Sequence, residues 1–168
     1  RIMHQRLSQQ VDQHDVHLSA ISSLLNAATP PPIDLLMQMI TNLQRFYKRI
    51  AAVDIVARGV VGNEGWVLST RAGASQTTEL ASTIRAAANS SAGTLILHAD
   101  NRRSGEYLLI KRSPNSDAAR YGVALGINLD KLVPDETTME PGTALTLALP
   151  DGTVIYSFGA TTTSIQFP

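Results

Sequence analysis

The chain has 168 residues, 43 % of them apolar, with 14 basic and 14 acidic side chains and so a formal net charge of zero. A chain of this length can bury most of its apolar surface in one domain, or in one domain with an appendage. Balanced charge argues against a nucleic-acid partner, which needs a basic excess, and no polybasic run points to an anionic membrane surface. The chain has no cysteine, which excludes disulfides, thiolate metal sites and a cysteine nucleophile.

Residues 1–28 read as one helix. Leu7, Val11, His14, Leu18, Ile21 and Leu25 recur at alternating intervals of four and three, an a/d seam of almost three heptads. This seam suits a homodimer contact through the N-terminal helix, or one broad face packed on a second helix of the same chain. A second apolar line runs through Val16, Ala20, Leu24 and Ala27. Thr29 and three prolines end this helix and start the next, where Ile33, Leu36, Met37, Ile40, Leu43, Tyr47 and Ile50 form the apolar stripe. Arg45, Lys48 and Arg49 carry the sign expected at its C-terminus.

The period then changes. Residues 51–58 and 66–70 read as strands joined by a turn holding Gly59, Gly62 and Gly65. Residues 77–90 read as a helix with Glu79 in its first turn. Strands are expected at 94–99, 107–112 and 121–128, joined by turn-forming segments, then a helical turn at 129–133 and a polar loop to 142. A hairpin of 144–149 and 153–158 turns at Pro150-Asp151-Gly152. The fold class is therefore α+β, with a long N-terminal helix and a second helix packed on an antiparallel sheet.

This order, with VDQHDVHLSAISSLL, then FYKRIAAVDIVARG passing from helix straight into strand, then GWVLSTR, then SGEYLLIKRSP and YGVALGINLDKLV, resembles the Cache family of extracytoplasmic PAS-like sensor domains. Those domains belong to bacterial membrane-anchored histidine kinases and related receptors. The likeness covers most of residues 1–133. It implies a helical stalk and second helix at 1–50, a PAS-like sensor core at 51–133, and a C-terminal hairpin extension, or the start of a second PAS-like unit, at 134–168. It also implies a periplasmic location. The chain opens at Arg1 inside a helical pattern and closes without a capping signal, so membrane segments are expected to flank it, since no apolar run here approaches the ~18 residues that span a bilayer.

Catalytic motifs are missing: there is no G-x-G-x-x-G, Walker A, H-E-x-x-H or G-x-S-x-G. The chain is accordingly read as a non-enzyme without cofactor or metal, although its parent would be a histidine kinase. His14 and His17 lie three apart on one helix beside Asp12 and Asp15. They could ligate a metal, tune an interface with pH, or be passive polar residues. Alternation along the strands puts Tyr107 and Lys111 on one face, with Val53, Ile55 and Ala57 opposed to Asp54, Val56 and Arg58 in the first strand. Tyr107, Lys111, His98 near the end of the neighbouring strand, Trp66 and Tyr121 form the expected ligand set, suited to a small carboxylate. The rival expectation is an assembly module with a coiled-coil stalk and no ligand.

Overall fold

The computed structural model describes residues 2–59, 65–71, 78–90, 93–98, 106–128, 145–148, 154–158 and 163–166, with side chains at 13–59, 65–71, 78–90, 93–97 and 106–128. The elements in chain order are α1 (Ile2–Leu25), α2 (Ile33–Phe46), β1 (Ile50–Ala57), β2 (Trp66–Ser69), α3 (Thr78–Ser90), β3 (Leu95–His98), β4 (Glu106–Ser113), β5 (Tyr121–Asn128), β6 (Leu145–Ala148), β7 (Val154–Phe158) and β8 (Thr163–Gln166). The fold is α+β, as the alternation of helical and strand periods led us to expect.

Five strands make one antiparallel sheet in the order β2-β1-β5-β4-β3. The central strand β5 pairs along its length with β1 on one side and β4 on the other, and Gly122 to Ile127 are all buried. A strand covered on both faces reads as a nearly continuous apolar run, which is what GVALGI supplies. Helices cover the two faces. On one, Leu18, Ile21 and Leu25 of α1 and Leu36 and Ile40 of α2 pack on Val53, Ile55, Leu109, Val123 and Leu125. On the other, Ala81, Ile84 and Ala88 of α3 pack on Val56, Leu108, Ile110 and Ala124. A Cβ at Gly122 would come within 3.1 Å of the Ala88 Cβ and 3.2 Å of the Ile84 Cγ2, so the missing side chain is what lets α3 lie so close to β5.

The predicted second helix ends earlier than its apolar stripe suggests. Tyr47 leaves helical geometry with φ −117° and ψ 86°, its N–H still bound to the Leu43 carbonyl. The Ile50 N–H closes a turn on the Tyr47 carbonyl at 3.0 Å, and Ile50 begins β1. Arg49 is thereby turned under α1 and buried, instead of standing in solvent at a helix end. The expected terminal hairpin is present as β6 and β7, and β8, which the sequence did not signal, adds a third strand parallel to β6. The helical turn at 129–133, the loop to 142 and the turn-forming segment between the strands at 94–99 and 107–112 lie wholly or largely outside the described residues.

The seating of α1 sets a test. Ile21 is fully buried while Val16 is 65 % exposed on the same helix. Ile21→Ala is expected to lower unfolding free energy by about 2–5 kcal/mol, and Val16→Ala to change it by less than about 0.5 kcal/mol, both read from urea denaturation.

Candidate functional site

Three polar constellations stand out against the apolar layers. The first is a cleft of about 220 Å³ along the seam between α1 and the sheet. Leu18 and Val123 form its floor, Ser19, Ser22 and Ser23 of α1 one wall, and Lys111, Arg112 and Ser113 of β4 with Asn115 the other. It opens where the β3–β4 ladder ends, at the Leu95–Ile110 pair, so that β4 continues past its neighbour. The serines follow helical spacing on α1, and Lys111 and Ser113 follow the two-residue alternation of β4. At the closed end the Ser22 and Ser113 hydroxyls are hydrogen-bonded to each other. Asn26 donates to Ser113 Oγ and to the Ser22 carbonyl, both at 2.8 Å. Arg112 is held by Asn115 Oδ1 at 3.1 Å and by Asp117 at 3.3 Å. No hydrogen bond or ion pair to a described residue engages Lys111, which leaves its ammonium as the cation available to an occupant.

The second constellation pins α1 to the turn between α2 and β1. Arg49 donates from Nε to His14 Nε2 and from Nη2 to Gln13 Oε1, each at 3.1 Å. Its guanidinium lies 4.8 Å from the centre of the Tyr47 ring, and the His17 ring lies 4.6 Å from that same ring at 48°. His14, His17 and Arg49 are all buried. Burial first, then the charges of Arg49 and His17, pull His14 down to about 3. Burial and Arg49 lower His17 as well, and burial lowers Arg49 itself. Both imidazoles are therefore neutral at pH 7.

The third lies on the opposite face of the sheet, beyond the part that α3 covers. Arg71, just past β2, donates from Nε to Asp54 Oδ2 of β1 at 2.9 Å and from Nη2 to Glu106 Oε1 of β4 at 2.6 Å. To reach both it crosses β5 at Gly126, where a Cβ would stand 2.5 Å from Glu106 Oε1 and 3.0 Å from Arg71 Nη2. Ser69 donates to the other Asp54 oxygen at 2.6 Å. Burial works against the Arg71 charge, but Asp54 and Glu106 more than offset it and hold the guanidinium above its usual value. One cation thus ties together β1, β2 and β4 across the central strand.

The expected ligand residues do not meet in one site. Tyr107 and Tyr121 belong to the layer under α1 and α2, and burial pushes the Tyr107 hydroxyl above its usual value. Trp66 packs on the opposite face with the α3 layer, because its partner across the ladder is Val56. Lys111 alone lines the cleft. His98 pairs with Tyr107 in register, but its side chain lies outside the described residues. The heptad seam has a different use from the dimer contact expected of it: His14, Leu18, Ile21 and Leu25 are buried in the chain's own core, since the sheet face needs cover and α1 provides it. The side chains of Leu7 and Val11 lie outside the described residues. Asp54, Arg71 and Glu106 were missed as a group. The usable signal was an aspartate at an inward position of an otherwise apolar strand, which demands a partner once buried.

No family model matches the chain, and no curated protein matches it. What fold and site define together is an α+β domain whose first helix is part of its core, with a small polar cleft on the seam between that helix and the sheet. Among the described residues no group of three or more histidine and acidic side chains could hold a metal, and no helix is long and apolar enough to cross a membrane.

Removing the cation from the third constellation should be costly. Arg71→Met leaves two buried carboxyl groups without it and is expected to cost about 3–5 kcal/mol in chemical denaturation. Gly126→Ala, which inserts a methyl group between Arg71 and Glu106, is expected to cost about 1–3 kcal/mol.

Proposed function

We propose that the chain is a ligand-sensing domain of a membrane-bound signalling receptor, acting by binding without chemistry. The supporting observation is the position of the cleft. Ser19, Ser22 and Ser23 on α1 and Lys111 and Ser113 on the sheet line it together, so the cleft bridges helix and sheet. Occupancy is then linked to how α1 sits, because a ligand shifts an equilibrium only through a difference in affinity between its two states. A small carboxylate suits the cleft: the Lys111 ammonium matches its charge, the hydroxyls of Ser19 and Ser23 can donate to it, and about 220 Å³ accommodates only a small molecule. The strand order β2-β1-β5-β4-β3 with a long first helix across one face supports the PAS-like, Cache-type reading. With that reading come a histidine kinase as the parent protein, a periplasmic location and α1 as the output path. Pairing between copies, which the heptad spacing favours, is left to the outward line through Val16 and Ala20 and to the helix ahead of Gln13.

A second reading, an assembly module without ligand, draws on the exposure of Val16, Leu35 and Phe46, the last at 77 %. A thermal-shift screen of small carboxylates, with amines as controls, separates the two. For a carboxylate at 100 times its Kd the expected stabilisation is about 2.7 kcal/mol, with Lys111→Met abolishing the shift while leaving the unliganded melting temperature within a few degrees. A screen in which no carboxylate stabilises the chain, or in which Lys111→Met responds like the parent, would count against the sensor and its proposed site.

A further inference from the structure

We propose that the contact between α1 and the α2–β1 turn is an acid-sensitive latch, in which protonation of His14 or His17 releases α1 from the sheet, so that the domain responds to acidity independently of any solute in the cleft. The geometry of Arg49 carries this. Its Nε–H is donated to His14 Nε2 at 3.1 Å. An imidazole nitrogen accepts there only while it has no proton. Protonation turns that acceptor into a donor and sets it against a guanidinium, which has no acceptor of its own. The hydrogen bond is lost, and two cations are left at contact distance in a buried site.

Arg49 cannot easily move aside. It heads directly into β1, its carbonyl accepts from the Asn128 N–H at 2.8 Å, and its side chain also lies over the Tyr47 ring and donates to Gln13. The element that gives way is therefore α1. His17, almost one turn further along, is buried with Nε2 making no hydrogen bond to a described residue, and it shares the Tyr47 ring with Arg49. A proton on His17 adds a second cation beside the first. Among the described residues, Arg49 and Tyr47 from the turn face the pair, with Gln13 and Asp15 beside it on α1 itself. Asp15 is turned toward β3, where its Oδ1 accepts from the Thr94 hydroxyl at 2.9 Å. Among the described residues, the charges of Arg49 and His17 act on His14, and both oppose its protonation.

The sign follows from linkage. With α1 seated, His14 stays neutral down to about 3, whereas once exposed it takes up its proton near 6.5. The released state then binds more protons throughout that window, so α1 is most firmly seated above pH 6.5 and loosens as pH falls. For His14, each pH unit below 6.5 weakens the seating about tenfold, or about thirtyfold at pH 5, and the lowered His17 acts in the same direction.

Amide hydrogen exchange on the intact chain, corrected for the intrinsic pH dependence of exchange, tests this. Protection of the α1 amides from residue 14 to residue 25 is expected to fall at least about twentyfold between pH 7 and pH 5. In His14→Gln/His17→Phe it is expected to change less than threefold, since a glutamine carbonyl can still accept from Arg49, and a phenyl ring keeps the Tyr47 contact, without titrating. An unchanged α1 in the parent chain, or a variant that loosens as steeply, would overturn the latch. Should the double variant not fold, the imidazole proton resonances of the parent chain decide: His14 is expected to hold neutral shifts in the seated state at pH 5, and its titration near 6.5 with α1 still protected would overturn the latch equally.

Discussion

A sheet whose central strand is apolar on both faces has to be covered on both, and here that requirement is met on one side by the chain's own first helix. Leu18, Ile21 and Leu25 are buried against Val123, Leu125 and their neighbours as completely as any residue of the sheet itself. Burying aliphatic side chains of this size contributes roughly 1.5–3 kcal/mol each, so α1 cannot leave without exposing the layer that holds β1, β4 and β5 together. The other features of interest lie along this seat. The cleft exists because α1 crosses β4 beyond the end of β3. The histidine–arginine contact exists because the α2–β1 turn comes up under the same helix.

The two faces of the sheet are built for different ends. Under α1 and α2 the inward residues are almost all aliphatic or aromatic. On the α3 side the helix seals only part of the face, against Gly122, Ala124 and Ile110, and the remainder is tied by Arg71 between Asp54 and Glu106. Two glycines of β5 mark the division: Gly122 admits a helix and Gly126 admits a guanidinium. A buried ion triplet of this kind is weak evidence for stability, because desolvation offsets much of the attraction. Its stronger consequence is positional, since it ties the middle of β1 to the start of β4 and the end of β2.

Much of this fold was legible in the residues. The two periods, 3.6 and 2, placed the three helices and the strands of the main sheet to within a few residues, and alternation in β1 correctly opposed Val53 and Ile55 to Asp54 and Val56. What the spacing left open was the partner of each face. The a/d spacing of α1 reports an apolar stripe and not what covers it. A helix packed on its own sheet and a helix packed on a second copy leave the same pattern, and here the sheet takes the stripe. The ligand set is scattered for a related reason. Period-2 counting puts Tyr107 and Lys111 on one face but does not say that helices seal that face over Tyr107 and leave it open at Lys111. Arg49 looked like a solvent cation at a helix end because the stripe runs on to Ile50, while the helix stops at Phe46.

The central claim is that α1 packs on the sheet of its own chain. The absence of native cysteine makes a direct measurement simple. Ser22 on α1 and Ser113 at the end of β4 have their hydroxyls in hydrogen-bond contact, so Ser22→Cys combined with Ser113→Cys should oxidise to a disulfide within one chain. Non-reducing electrophoresis and mass spectrometry should show a cross-linked monomer whose yield does not depend on protein concentration. Disulfide-linked dimers that increase with concentration, or two thiols that stay free under oxidation, would contradict the account.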